Sequence, residues 1–348
     1  MKYFFLPALL FTVLISIGFL SCSSNQQRDD TTTIDNAHPK SGTSALLLQK
    51  TIQLPNVKGG FDLMAVDVKG QRLFVSAEDN HTVEVINLQT GKHLLSLPGF
   101  NEPKWVVYLP EGNRIFVSTG GDGKVTELNG NTYKVVHTYS FKEACNNLRF
   151  DSSTNQLLVG FGKTFGSLGR IDVKQNKIIG KIPLSGYLKQ FEIDGDKVYV
   201  NLPEKNTIEV VSLSSARPLA SWAVTEAKQN IPMALDPIHQ RLFVACEPGK
   251  FIIYSTKTGK SIQSINISKD ADGVYYDGKR NQIYVSCGEG NIEVIEQKDA
   301  DNYQAMQAIQ TVKGAGTSLF SPQLDKYILA VPQSSNQVAE IRIYQLVK

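Results

Sequence analysis

Histidine and cysteine are scarce in this chain, with five and four residues among 348. No CxxC pair and no Cys/His spacing suited to zinc occurs, which excludes a structural zinc site. There is no GxSxG, no P-loop and no dinucleotide fingerprint, and no Ser-His-Asp set can be assigned. Gly120-Gly121-Asp122-Gly123 reads as a turn and not as a phosphate cradle. Lysine and arginine never form a run of five and the net charge is only +3, so no nucleic-acid surface is expected. What is present is globular: 41% hydrophobic and 20% charged residues can bury a large core.

The first residues are an export signal and not part of the fold. Lys2 precedes an apolar run from Tyr3 to Leu20, which ends in Ser21-Cys22 and turns abruptly polar. This pattern resembles the lipobox of bacterial lipoproteins. The resemblance implies cleavage before Cys22, lipidation of its thiol and attachment to a membrane. Phe19 and Leu20 depart from the usual lipobox, and an ordinary secretory signal or a membrane anchor are the alternatives. Ser23 after Cys22 suggests the outer membrane of the cell envelope, on the periplasmic or the surface side. Residues 23–44 are rich in Ser, Thr, Asn, Gln and Asp and carry no apolar periodicity, so a flexible tether is expected there. The domain reading is therefore 1–21 signal, 22–44 lipidated cysteine and tether, and 45–348 folded domain.

That domain is a repeat. RLFVSA, RIFVST, QLLVGF, KVYVNL, RLFVAC, QIYVSC and KYILAV begin at Arg72, Arg114, Gln156, Lys197, Arg241, Gln282 and Lys326, with spacings of 42, 42, 41, 44, 41 and 44. Each is too short for a helix and suits a buried strand. A strand and a polar turn precede it, an alternating strand such as TVEVINL follows, and a further strand comes after a turn such as QTGK. Four antiparallel strands per roughly 42 residues is a propeller blade, so the fold expected is all-β: a single seven-bladed β-propeller. The seventh unit lacks its fourth strand, and Leu46 to Leu54 has the right pattern to supply it and close the ring.

The stretches RLFVSAEDNHTVEVINLQTGK and KVYVNLPEKNTIEVVSL resemble the YVTN repeats of bacterial propeller proteins, over Leu46 to Lys348. The likeness implies the propeller and leaves the activity open, because such folds host enzymes and binding platforms alike.

In a propeller, the loops entering the inner strand and those joining the second and third strands share one face around the channel mouth. Repeat register places Asp62, Lys104, Asn146, Lys189, Ile231, Asp272 and Gly316 at one inner position there, and Leu63, Trp105, Asn147, Gln190, Pro232, Gly273 and Thr317 at the next. Asp62, Lys104, Trp105, Asn146, Asn147, Lys189, Gln190 and Asp272 are the candidate ligand residues. Their mixed charge suits a polar or zwitterionic ligand, or mutual neutralisation. Trp105 is expected either as an exposed indole at the mouth, able to stack on a ring, or packed between blades. Residues Gly160 to Arg170 form the longest second-to-third-strand loop expected, beside the mouth.

Of the histidines, only His81 falls on that face, which argues against a haem site or a histidine-dependent lyase. The reading is a non-enzymatic, envelope-tethered binding or scaffold module, a monomer with no cofactor, whose partner is an unknown protein or small polar ligand. The alternative is a lactonase-like hydrolase holding Ca2+ or another divalent ion on Asp62, Asn147 and Asp272, with Asn146 nearby; Lys104 and Lys189 oppose it. Cys145, Cys246 and Cys287 are expected as buried thiols, with a Cys246–Cys287 bridge as the second option.

Overall fold

A computed structural model describes residues 44–347. The signal segment, Cys22 and the tether up to residue 43 lie outside these residues.

The second strand of each repeat opens on a polar residue at a turn and continues as an apolar run. In Arg72–Ala77 the side chains of Leu73, Phe74 and Val75 are fully buried. Both faces of such a strand are covered because a neighbouring sheet packs against each, which favours β-branched and aromatic residues. The outer strand Lys92–Pro98 instead alternates between exposed and half-buried positions, as befits one wet face. In six of the seven inner hairpins the residue just before the second strand is left-handed: Gln71, Asn113, Asn155, Gln240, Asn281 and Asp325. Polar side chains tolerate that conformation better than β-branched ones. In the fourth hairpin the left-handed residue is Gly195, one position earlier.

Seven antiparallel sheets result, six of them running inner, second, third and outer strand in chain order. Blade 1 comprises Asp62–Asp67, Arg72–Ala77, Thr82–Asn87 and Lys92–Pro98. The inner strands of blades 2 to 7 are Pro103–Leu109, Cys145–Asp151, Phe191–Asp194, Lys228–Asp236, Ala271–Asp277 and Ser318–Ser321. Blade 7 takes Leu46–Leu54 as its outer strand, with Leu46 opposite Leu346 and Leu54 opposite Ala339. The closing strand expected from the repeat count is the one observed.

The core is divided as the architecture requires, into clusters between consecutive blades. One joins Ile52, Leu54 and Ile341 of blade 7 to Met64, Leu73 and Val75 of blade 1. The next joins Phe74 and Val83 of blade 1 to Val106, Ile115 and Val117 of blade 2, and the pattern continues round the ring. At the face away from the mouth, arginines clip neighbouring blades together. Arg72 donates to Asn113 Oδ1 (2.9 Å), Arg114 to the Val173 carbonyl (2.7 Å) and Arg241 to the Ala300 carbonyl (2.8 Å).

The sixth blade departs from the repeat, and one loop expectation is corrected. The sixth outer strand is broken into Tyr303–Ala305 and Ile309–Gln310, both pairing with Asn291–Gln297. The longest second-to-third-strand loop spans 332–338 in blade 7 and not Gly160 to Arg170. In that glycine-rich stretch the strands Gln156–Phe161 and Ser167–Asp172 pair as far as Phe161 with Ser167, leaving only 162–166 as loop. Glycines there mark close packing: a Cβ on Gly160 would lie 2.8 Å from Leu188.

Candidate functional site

Five of the seven inner strands enter the mouth with irregular pairing. Register shifts fall between Asp62 and Met64, Pro103 and Trp105, Cys145 and Leu148, Asn230 and Met233, and Ala271 and Gly273. A bulge of this kind bends the strand and re-aims its side chains. Lys104 and Asp272 are themselves the extra residues, which turns both toward the channel opening.

The same main chain is latched to the preceding blade. Ser118 Oγ donates to the Asn146 carbonyl (2.5 Å), Asn201 Nδ2 to the Ile231 carbonyl (3.0 Å) and Ser286 Oγ to the Gly316 carbonyl (2.5 Å). These donors occupy one position of the second strand and their acceptors one position of the next inner strand. Thr317 Oγ1 donates across the closure to the Phe61 carbonyl (3.1 Å). In blade 1 the equivalent Ser76 hydroxyl has no partner.

The result is a cavity of about 350 Å³ lined by Asp62, Lys104, Asn146, Asn147, Lys189, Gln190 and Asp272 together. Seven of the eight candidate residues thus meet at one opening. Glu78, Glu102 and Tyr187 join them. Register in the inner strands could not flag these, since they lie in the loops between strands. Gly160, Phe161, Gly162 and Lys163 also reach the cavity, so this portion of the third blade does stand beside the mouth.

Trp105 is the exception. It is half-buried and lines a second cavity of about 490 Å³ further along the inner strands, with Phe150, Tyr275 and Phe320. The Arg149 guanidinium lies 5.5 Å from the centre of its ring. Of the two readings, an exposed indole or one packed between blades, the packed one is found: with Lys104 as the bulged residue, Trp105 is already one step inside, against the core between blades 2 and 3.

Arg149 was missed at the sequence level, and so was its partner Glu192. Their side chains pair at 2.5 Å, and Arg149 Nε donates to the Phe191 carbonyl. Both lie three residues beyond the mouth position, where the other blades carry Ala65, Val107, Ala234, Tyr275 and Leu319. Two opposite charges in an otherwise apolar rank were the available signal. Burial raises the Glu192 carboxyl above its ordinary range, and Arg149 pulls it back.

The electrostatics of the mouth are those of crowded carboxylates. Burial, then Glu78, push the Asp62 carboxyl up to about 7 against the pull of Lys104. Burial, then Asp270, push Asp272 up to about 6 against Lys189. Burial opposes the charge on Lys104, but its ion pair with Glu78, with Asp62 and Glu102 nearby, raises it overall. Asn146 Nδ2 donates to the Tyr187 hydroxyl (3.3 Å), and the Lys189 ammonium lies 5.8 Å from the centre of the same ring. Asn147 is only 3% exposed, and its Oδ1 receives no hydrogen bond.

The set Asp62, Asn147 and Asp272 does not fit a divalent cation. Among the described residues no three carboxylates, imidazoles or thiols converge, and Lys104 and Lys189 share the cavity with the two acids. Cys145, Cys246 and Cys287 are free and buried, so the bridge is absent. Burial raises all three thiols, Cys246 to about 12. His81 Nδ1 accepts from the Glu102 amide (3.2 Å) in a surface turn outside the cavity.

No protein-family model matches the chain, and no curated protein does either. Solved structures do match: a chain of the "Crystal Structure of Mitotic Checkpoint Complex" superposes with a TM-score of 0.71, covering 97% of this chain and 100% of its own, at 13% identity. So distant a likeness shows the fold alone. With 1788 solved chains matching, the architecture is too widely used to point to an activity.

Proposed function

We propose that this chain is a binding module of the bacterial cell envelope, related to YVTN-type propellers and tethered through Cys22, that takes a small polar ligand at its channel mouth. One observation carries the reading. Charged and amide side chains from blades 1, 2, 3, 4 and 6 converge on a single cavity, at positions where blades 5 and 7 manage with Ile231 and Gly316. Blade packing does not demand them, and a concave opening with a few directed polar groups is the usual form of a small-molecule site. Histidine is absent from the cavity wall, and the thiol that reaches it, Cys145, is buried and held protonated. Nucleophilic catalysis through that thiol is therefore disfavoured. The tether is supported by the apolar run that ends at Ser21-Cys22.

The test is a thermal-shift screen of polar metabolites on the purified protein, with and without calcium. A hit should lose affinity in Lys189→Ala and Asp272→Ala and keep it in Ile238→Ala, on the opposite face. Affinity that survives both mouth substitutions would refute the site. Calcium-dependent turnover lost with Asp62→Ala would instead favour the hydrolase.

A further inference from the structure

Among the described residues, several groups around the mouth are left without partners. The Asp272 carboxyl takes no hydrogen bond from the protein; burial and the charges of Asp270 and Glu247 push it up, and Lys189 alone pulls against them. Asp62 accepts a single one, from the Leu63 amide (2.9 Å). Asn147 Oδ1 is a buried acceptor with no donor. Lys189 makes no ion pair, and its ammonium stands 5.8 Å from the centre of the Tyr187 ring. Lys104 differs, because Glu78 already holds its ammonium.

These groups are arranged with a polarity. The two acids stand on blades 6 and 1, flanking blade 7. Gly316 at the mouth position of blade 7 leaves the Asp272 carboxyl its space, since a Cβ there would come within 2.5 Å of Oδ2. Asn146, Asn147 and Lys189 stand on blades 3 and 4, across the opening.

We propose that the mouth recognises a compact zwitterion of the amino-acid type, its primary ammonium received by Asp272 and Asp62 and its carboxylate by Lys189. This rests on the reading of the mouth as a binding site and names what fits it. The Asp272 and Asp62 carboxyls are acceptors with room for donors, and a primary ammonium brings three N–H donors to a small space. The one open cation calls for an anionic group on the same ligand. A zwitterion pairs both without adding net charge to a partly desolvated site, where an unpaired charge is costly. A diamine would set a second ammonium against Lys189 and Lys163, and a dicarboxylate would set one against Asp62 and Asp272. A neutral sugar would leave Lys189 unpaired. The cavity, about 350 Å³, is of the right order for an amino acid and small for a folded partner's loop.

Titration calorimetry on the purified full-length protein tests this, with the proteinogenic L-amino acids as probes, one at a time. For the tightest binder, the N-acetyl derivative and the carboxamide should each bind about tenfold more weakly or worse, the loss expected from one charged hydrogen bond. Lys189→Gln should bind acid and carboxamide alike. Asp272→Asn should shrink the penalty for N-acetylation, with melting temperatures confirming that both variants fold. Failure of every amino acid to bind overturns the proposal. So does preferential binding of a polyol, diamine or dicarboxylate, but if Lys189→Gln or Asp272→Asn weakens that binding, the mouth remains the site and only the ligand class falls. Amino-acid binding indifferent to both substitutions overturns the mouth itself.

Discussion

Gln190 of blade 4 reaches past its neighbour and donates through Nε2 to the main-chain oxygen of Asp272 in blade 6, 3.0 Å away. Its Oε1 accepts the amide of Met233 in blade 5, at 3.5 Å. One side chain thus ties three blades together, and it lines both the mouth and the cavity beneath. Gln190→Ala strips partners from two main-chain groups and merges the cavities. The expected cost is about 1–3 kcal/mol, measured as a lower urea midpoint. An unchanged midpoint would show that the strut holds nothing.

Ring closure predicts a contrast within one strand. Leu54 is fully buried against blade 1, whereas Leu48 is 52% exposed. Leu54→Ala should cost about 2–5 kcal/mol and Leu48→Ala less than about 0.5 kcal/mol. Equal effects would mean that this strand is not seated as the seventh outer strand.

The mouth acids predict an unusual pH dependence. Both have folded-state values above the ordinary 3.8, Asp62 at about 7 and Asp272 at about 6. Between pH 3.8 and about 7 the folded protein holds protons that the unfolded chain has released. Their contribution to stability is therefore fully present below pH 3.8 and is lost as pH rises through the folded values. Asp62→Asn and Asp272→Asn should remove that decline, so the melting temperature of each variant relative to wild type should climb with pH across this window and level off above it. A difference that shrinks as pH rises would contradict the assignment.

Attachment is tested separately from folding. Cys22→Ala should abolish incorporation of labelled palmitate and leave an uncleaved or differently cleaved precursor, while the melting temperature of the folded domain stays the same. Unchanged labelling would remove the lipid anchor.

Architecture was legible because a propeller writes its geometry into a period. Seven apolar runs at nearly constant spacing fix the blade number, and common register carries Asp62 and Asp272, far apart in sequence, to one cavity. Local departures from the period were not legible. Nothing in the residues around Trp105 announces that Lys104 is bulged out of the pairing between Pro103 and Trp105, which decides whether the indole sits at the mouth or below it. Glu78 escaped for a related reason: it follows the second strand and acts through Lys104 of the next blade, a contact set by how blades pack and not by spacing. The Gln190 strut is of the same kind, since no repeat rule links blade 4 to blade 6.

Closure by a strand from the opposite end of the chain also governs how the ring answers to force. The strand Leu46–Leu54 runs antiparallel to its partner, with Leu46 beside Leu346 at one end and Leu54 beside Ala339 at the other. Tension along that strand's own axis, applied ahead of Ser44, loads its cross-strand hydrogen bonds in shear, so that they resist together instead of breaking in succession. Under the attachment proposed at Cys22, a tug on the chain ahead of Ser44 would load the seam that keeps the seven blades in a circle.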